Sequence, residues 1–352
     1  MPEGEALAER LRRQIAASGP ISVAEYMRRS NAAYYAAGDP FGANGDFVTA
    51  PEISQMFGEL IGLWMADLWL RARRPEGCQY VELGPGRGTL AADILRSTAT
   101  FGFAPSVHLV ETSEALRDMQ SQALPQARFH DEIASLPDGG PLLIVANEFF
   151  DALPVRQMIA TAEGWRERVI DNGPDGGFFA SAGPRDADAL VPGAVRAAPE
   201  GSIIEQCPDG AAILFELLRR IAAQGGALLV IDYGYDAVGV GETLQAVKAH
   251  RPVSMFEAPG TADLTAHVDF RELANIARAA DMAVHGPIGQ GDWLRALGIE
   301  LRAQTLGRQR PEKRIEIEVA RDRLISPVKM GELFKVLAIT APAWPMPEGF
   351  GG

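Results

Sequence analysis

The chain has 352 residues, 47% of them hydrophobic, which is enough for a large core and long for one compact unit. Its 46 acidic and 33 basic residues give a net charge of −13 with no Lys/Arg-rich run, which argues against a nucleic-acid groove. Two cysteines are too few for a disulfide framework or a zinc site, and five histidines show no metal-ligand spacing, so no metal centre is expected.

The N-terminal region predicts helices rather than a targeting or membrane segment. The first five residues carry acids and no apolar signal core, and no apolar run is long enough to span a membrane. Amphipathic helices are predicted at 6–17 and 23–30, separated by a Gly-Pro pair. We therefore expect a cytoplasmic protein in which residues 1–75 form an N-terminal helical extension.

The sequence from Thr49 onward has the pattern of a helix start. Thr49 can cap the helix, and Glu52 stands three residues later as the other half of a capping box. Apolar residues then recur at helical spacing from Ile53 to Leu68. We predict one long helix packed into the body, with its polar first turn over a pocket.

Three closely spaced glycines, Gly84, Gly86 and Gly88, follow an apolar strand at 79–83 and precede a helix at 89–96. Glycine lets the backbone turn sharply and lets a ligand lie against bare main chain. The spacing is one residue shorter than in a dinucleotide fingerprint, and Glu82 would oppose a pyrophosphate while suiting a cationic amino-acid end. The turn therefore indicates S-adenosylmethionine, and the alternatives are an ordinary tight turn or an aberrant nicotinamide site.

From residue 79 the chain alternates short apolar runs with helical patterns, which predicts an α/β fold with a doubly wound, mostly parallel, seven-stranded sheet. The clearest strand candidates are 79–83, 107–111, 127–130, 142–146 and 227–231. We predict a cofactor-binding domain at 76–340 that carries insertions at about 152–204 and 236–268, followed by a loose tail at 341–352.

Polar residues at the ends of parallel strands line the crevice in which such sheets bind ligands. Glu111 ends the second strand, where an acid can accept both ribose hydroxyls. Asp131 and Glu132 follow the third strand, where they can meet an adenine edge, although a solvated turn is nearly as good an interpretation. Tyr233 and His267 are also expected on the ligand side, but a lone histidine is more often structural.

The segment after the fourth strand is the best catalytic candidate. Asn147, Glu148 and Asp151 can fix an attacking nitrogen in line with a sulfonium methyl group, and Asn147 is also expected to contact the cofactor. Phe149 and Phe150 can form aromatic walls that exclude water and tolerate a cation. Alternatively, both phenylalanines belong to the core and Asp151 caps a helix.

These motifs resemble the MidA-like family of S-adenosylmethionine-dependent methyltransferases, which includes a mitochondrial assembly factor that methylates an arginine of a complex I core subunit. The resemblance covers most of the chain. Its most particular segments are GDFVTAPEIS at 45–54 and NEFFDALP at 147–154, and ELGPGRG at 82–88, DYGY at 232–235, TAHVDF at 265–270 and QGDWL at 290–294 add to it.

The resemblance implies a class I methyltransferase (Rossmann-like) fold with S-adenosyl-L-methionine bound at Gly84, Gly86, Gly88 and Glu111. It also implies that Thr49, Glu52 and Ser54 belong to a lid or pocket wall that faces the substrate.

The resemblance further implies a protein arginine as methyl acceptor, on a subunit of the complex I 49-kDa type, in the cytoplasm of a bacterium; the mitochondrial matrix is the eukaryotic equivalent. Two alternatives remain open. One is methylation of another amine or a small molecule, and the other is a non-catalytic complex I assembly chaperone that retains the cofactor site. The sequence does not indicate an oligomeric state.

Overall fold

A computed structural model describes residues 3–36 and 49–351 of the chain. Contacts divide it into a larger unit, residues 48–150, 213–236 and 270–352, and a smaller unit, residues 1–47, 151–212 and 237–269. None of the helices in these described ranges is both long enough and apolar enough to span a bilayer.

The helices of the described residues are α1 (Glu3–Ser18), α2 (Val23–Ala36), α3 (Ala50–Ile53), α4 (Gln55–Arg71), α5 (Thr89–Thr98), α6 (Glu114–Ala123), α7 (Pro208–Gln224), α8 (Phe270–Ala279), α9 (Gln290–Ala296), α10 (Ile299–Gln309) and α11 (Arg314–Ile325). The strands are β1 (Ile21–Ser22), β2 (Gln79–Leu83), β3 (Ser106–Val110), β4 (Arg128–His130), β5 (Leu142–Asn147), β6 (Arg156–Thr161), β7 (Gly164–Asn172), β8 (Phe178–Asp186), β9 (Ile203–Gln206), β10 (Gly226–Tyr235), β11 (Gln245–Lys248), β12 (Arg251–Val253), β13 (Asp263–Thr265), β14 (Val268–Asp269), β15 (Ala283–Gly289) and β16 (Phe334–Thr340).

The larger unit is built on seven strands in the order β15-β16-β10-β5-β2-β3-β4. Five of them, from β10 to β4, are parallel, while β16 and β15 are antiparallel additions at one edge. Strands β2 and β5 are buried along their whole length, as expected for strands covered on both faces. This confirms the predicted doubly wound, mostly parallel sheet.

The smaller unit contains two antiparallel sheets and the first two helices. One sheet has the order β1-β7-β6-β9 with β8 beside β7, and the other has the order β12-β11-β13. Its core includes Leu11, Tyr26 and Met27 from the helices and Ile170 and Leu264 from the strands.

The structure differs from the sequence interpretation in where the N-terminal region ends. Residues 49–71 belong to the larger unit, not to a separate extension that reaches residue 75. The chain then leaves that unit at 151 and 237 and returns at 213 and 270. The insertions at about 152–204 and 236–268 stay predictions. Residues 37–48, which hold the first part of the segment at 45–54, lie outside the described residues.

The predicted loose tail is instead packed against the larger unit. Trp344 and Phe350 lie against its core cluster, and Trp64 donates its indole N–H to the carbonyl of Glu348 at 3.1 Å. Phe350 also contacts the Trp293 ring, with centroids 6.2 Å apart. Burial of these aromatic rings outweighs the flexibility that the Pro/Gly-rich composition suggested.

Candidate active site

Strand register in the larger unit brings the predicted ligand-binding residues to one edge of the sheet. Leu83 pairs with Val110 on one side and with Ala146 on the other. The register then continues from Val110 to His130 and from Asn147 to Ile231. The residues that follow these strands therefore emerge side by side at the carboxyl edge, where open α/β sheets bind ligands.

The glycine turn after β2 uses backbone conformations that favour glycine. The φ angles are +60° at Gly84, +53° at Gly86 and +80° at Gly88, all in the left-handed region. A Cβ atom added at Gly84 would lie 3.1 Å from Cδ2 of Phe149. The turn therefore requires glycine for its conformation and, at Gly84, for the close approach of an aromatic ring.

Glu111 is held in a fixed orientation directly after β3. Its Oε1 accepts hydrogen bonds from the main-chain N–H groups of Thr112 and Ser113, each at 2.8 Å. Burial raises the pKa of Glu111, and these donors together with Gln120 work against that rise. A carboxylate oriented in this way suits recognition of a ribose diol.

Gln120 is a site residue that sequence reasoning missed. It is buried on α6 and donates its side-chain N–H to the carbonyl of Gly86 at 2.6 Å, which ties the glycine turn to the helix after β3. A signal was present in the sequence, because Gln120 stands one turn after the buried Leu116 on the apolar face of α6.

Glu82 lies within β2 and is only 3% exposed. The Tyr80 hydroxyl donates to its Oε2 at 2.6 Å, and a main-chain hydrogen bond at Ala91 reaches it from the first turns of α5. Burial raises the pKa of Glu82 to about 8 despite these hydrogen bonds. Its carboxyl group thus supports the start of α5, and the predicted contact with the cofactor stays a prediction.

After β5 the chain presents Asn147 and Glu148. Asn147 is 9% exposed, and its Oδ1 has no hydrogen-bond partner among the described residues. Glu148 adopts φ +49°, and its N–H donates to the carbonyl of Ile231 at 2.9 Å. Left-handed φ in a non-glycine residue costs roughly 1–2 kcal/mol and is often found at functional sites.

The Glu148 carboxylate also contacts the segment that begins at Thr49. Its Oε1 accepts the N–H of Ala50 at 3.3 Å and lies 3.4 Å from Nδ2 of Asn147. Glu52 accepts the hydroxyl of Thr89 at 2.6 Å, at the start of α5. Hydrogen bonds therefore connect residues 49–54 both to the start of α5, next to the glycine turn, and to the catalytic candidate Glu148.

The predicted capping box at Thr49 is wrong. Thr49 precedes α3 but makes no side-chain cap, and Glu52 bonds to Thr89 instead. Ser54 has extended backbone angles, which divide the predicted long helix into α3 and α4, and its Oγ accepts the N–H of Met56 at 3.2 Å. Ser54 is thus the cap of the long helix.

The aromatic residues after β5 have different surroundings. Phe149 is half-buried and borders Gly84, which fits a wall of the pocket. Phe150 is buried, packs edge-on against Phe149, and donates its N–H to Oδ2 of Asp232 at 3.1 Å. Tyr233 packs on Phe334 with ring centroids 5.5 Å apart. Phe149 is therefore the better wall candidate, while Phe150 has the buried position of a core residue.

The predicted adenine-edge residues are exposed in the loop after β4. Asp131 pairs with Arg117 at 2.7 Å, and the same guanidinium donates through Nε to the carbonyl of Glu111 at 2.8 Å. The carbonyl of Glu132 accepts the Ser135 hydroxyl at 2.7 Å. Their contact with adenine stays a prediction.

Two candidates, Asp151 and His267, belong to the smaller unit. The carbonyl of Asp151 accepts the N–H of Ala266 at 2.9 Å, and the N–H of His267 donates to the Thr243 hydroxyl at 2.8 Å. Burial lowers the pKa of His267, while Glu205 works in the opposite direction. The catalytic role of Asp151 and the substrate-side position of His267 stay predictions.

The larger unit has the chemistry needed to hold S-adenosylmethionine. Bare main chain at Gly84 and Gly86 allows close approach, and Glu111 offers a fixed acceptor for ribose hydroxyls. The buried Oδ1 of Asn147 lacks a protein partner, and a buried acceptor of this kind is stabilised by a donor such as an ammonium group. These residues fit the cofactor that the sequence predicts.

Fold and site together define an S-adenosylmethionine-dependent methyltransferase. A family described as S-adenosyl-L-methionine-dependent methyltransferases matches residues 60–288, and the chain belongs to it, in agreement with the MidA-like resemblance.

Relatives and solved structures agree with this assignment. The chain is 37% identical to the mouse (Mus musculus) protein arginine methyltransferase NDUFAF7, mitochondrial, over 93% of this chain and 82% of that protein. It is 36% identical to the Danio rerio protein of the same name, over 95% and 87%. A COG1565 superfamily member from Burkholderia thailandensis, whose crystal structure holds S-adenosyl-homocysteine, superimposes with a TM-score of 0.85 at 28% identity and covers 99% of this chain and 94% of that one.

Proposed function

We propose that this enzyme methylates an arginine guanidine of a protein partner. Two relatives that align with more than nine-tenths of the chain are named protein arginine methyltransferases. The observation that carries the proposal in this chain is Glu148, whose backbone is left-handed at φ +49° and whose carboxylate lies beside Asn147 and accepts the N–H of Ala50. A carboxylate can bind a guanidinium through two parallel hydrogen bonds and orient it.

Positioning supplies most of the catalysis in this proposal. Bound S-adenosylmethionine supplies an electrophilic methyl group on a sulfonium, so no further activation of the donor is needed. Glu148 holds the guanidine so that one of its nitrogens is in line with that methyl group. Asn147 holds the guanidine from the side opposite Glu148. As the new N–C bond forms and the S–C bond breaks, the guanidinium loses one N–H proton to a carboxylate or to water, so the methylated side chain keeps a single positive charge and S-adenosylhomocysteine leaves.

We further propose a complex I core subunit of the 49-kDa type as the partner, and the bacterial cytoplasm as the location. Support for the partner comes from the MidA-like resemblance. Support for the location comes from the cysteine content, because two cysteines are too few for the disulfide framework of a secreted protein and fit a reducing compartment. Asp151 is proposed to help Glu148 orient the attacking nitrogen, and Tyr233 and His267 are proposed to contribute to substrate binding.

Mass spectrometry of complex I subunits from cells with and without this protein tests the proposal. We expect a methylated arginine in the 49-kDa-type subunit that is absent from the deletion strain and restored by the intact gene. An unchanged arginine methylation pattern would remove this substrate while leaving the cofactor site intact. Methylarginine lost from a different protein would keep the reaction and replace the partner.

A further inference from the structure

Two histidines lie side by side on neighbouring strands of the larger unit, close to Glu111. His108 on β3 is 1% exposed, and its Nδ1 lies 2.9 Å from Nε2 of His130 at the end of β4. The two rings are tilted, with centroids 5.2 Å apart. A polar pair in such a position is costly unless its hydrogen bonds are made, so its orientation carries structural information.

The neighbouring hydrogen bonds determine which nitrogen carries each proton. The Ser135 hydroxyl donates to the carbonyl of Glu132 at 2.7 Å. The Ser135 oxygen must then accept from His130 Nδ1, which lies 3.0 Å away. In a neutral ring this leaves His130 Nε2 as an acceptor, so His108 Nδ1 donates to it. In the neutral state both rings are therefore protonated on Nδ1.

Burial and nearby charged groups favour this neutral state. Burial is the largest cause that lowers the pKa of His108, to about 4, and it also lowers the pKa of His130, while a hydrogen bond at Ser135 acts in the opposite direction at His130. Arg128 disfavours protonation of both rings, Arg117 disfavours it at His130, and Asp131 acts in the opposite direction. At neutral pH the chain of hydrogen bonds runs in one direction, from His108 through His130 and Ser135 to Glu132.

This hydrogen-bond chain ends in the loop that the sequence places against the adenosine part of the cofactor. The carbonyl of His130 also accepts the N–H of Glu111 at 3.0 Å, so the same residue fixes the start of the ribose-binding turn. His130 is followed directly by Asp131, whose carboxylate pairs with Arg117. The imidazole pair is thus connected on one side to the sheet interior and on the other to Glu111 and the 131–135 loop.

We propose that His108 and His130 are positioning residues for the adenosine half of S-adenosylmethionine. They fix the direction in which the 131–135 loop leaves β4, and with it the relative positions of the Glu111 and Asp131 carboxylates. Two apolar side chains would fill the same space between β3 and β4. They could not hold the 131–135 loop in place, because they would lack the hydrogen bond that His130 makes with Ser135. This inference concerns the cofactor and is independent of the methyl acceptor, so failure of the arginine proposal would leave it standing.

Three substitutions separate positioning from simple packing. His108→Leu keeps the volume but removes the donor and leaves His130 Nε2 unsatisfied. His108→Asn keeps an N–H donor close to the position of Nδ1. The control is His285→Asn on β15 of the same sheet, where the ring contacts the hydroxyl of Thr340 at 3.3 Å.

Calorimetric titration with S-adenosylhomocysteine is the first measurement. We expect the dissociation constant to rise about tenfold in His108→Leu, because the half-buried His130 Nε2 loses its protein partner, and to stay within about threefold of the parent in His108→Asn. His285→Asn should bind like the parent. Equal affinities for His108→Leu and the parent, or equal losses in His108→Leu and His108→Asn, would overturn the proposal.

Nitrogen-15 NMR of the imidazole rings gives a readout that does not depend on the variants folding. We expect both His108 and His130 to show the Nδ1-protonated neutral form at pH 7 in the parent protein. An Nε2-protonated neutral form at either ring would contradict the hydrogen-bond chain and with it the proposal.

Discussion

Two tight turns at the same sheet edge reach left-handed backbone angles in different ways. After β2 the positions are glycines, for which φ of +60° at Gly84 carries no steric penalty. After β5 the corresponding conformation, φ +49°, is adopted by Glu148, which bears that penalty. The comparison indicates that the first turn is selected for bare main chain and the second for a particular side chain.

The largest expected effect is on the glycine turn. Gly84→Val adds a side chain where φ is +60° and where a Cβ would lie 3.1 Å from the Phe149 ring, so we expect S-adenosylmethionine affinity to fall by about a hundredfold or more. Gly102→Val is the matched control, because Gly102 has φ +71° but no neighbour within 4 Å. Calorimetry should show normal binding by the control; equal losses would mean that the effect is general destabilisation.

A smaller effect is expected at Glu111, the predicted acceptor of the ribose hydroxyls. Glu111→Gln retains the shape of the side chain but removes the negative charge that accepts from Thr112 and Ser113, so we expect the affinity for S-adenosylmethionine to fall about tenfold. Glu114→Gln, at an exposed position on α6, should bind like the parent. Unchanged affinity in Glu111→Gln would remove this residue from the cofactor site.

The strain at Glu148 can be measured directly. Glu148→Gly and Glu148→Ala both lack the carboxylate, but only alanine keeps a Cβ at φ +49°. We expect the glycine variant to have the higher free energy of unfolding, by about 1 kcal/mol. Denaturant unfolding of the two proteins measures the difference, and equal stabilities would show that the turn is not strained.

The pH dependence of stability tests the burial of Glu82. Because its pKa is raised to about 8 in the folded chain, folding is favoured by the bound proton below the ordinary carboxyl pKa, and this contribution is lost as the pH rises toward 8. The parent should therefore lose stability relative to Glu82→Gln between pH 4.5 and 8. Parallel unfolding curves over that range would show that Glu82 is not buried as a neutral acid.

Local signals in the sequence were sufficient to predict the strands and the glycine turn. An apolar run that ends in three glycines specifies β2 and the start of α5 within a few residues, so little tertiary information is needed. The sequence did not identify Ser54 as the helix cap, because the residues from Thr49 to Glu52 also match the pattern of a capped helix start. The two candidate caps are distinguished only by the structure, in which Glu52 accepts the hydroxyl of Thr89 and Ser54 accepts the N–H of Met56.

Other features required the three-dimensional register. His108 and His130 are 22 residues apart in sequence and meet only because β3 and β4 pair with Val110 opposite His130. The packing of Phe350 against Trp293 likewise could not be predicted from the Pro/Gly-rich sequence of the tail. Sequence patterns specify elements within a segment, whereas contacts between distant segments follow from how the elements assemble.

The most direct test of the account separates donor binding from methyl transfer at Glu148. Purified Glu148→Gln is titrated with S-adenosylmethionine, and the deletion strain complemented with the same variant is analysed for methylarginine on the 49-kDa-type subunit. The exposed Glu76→Gln serves as control. The account predicts donor affinity within about threefold of the parent and loss of the methylarginine. Parental levels of methylarginine in Glu148→Gln would contradict it.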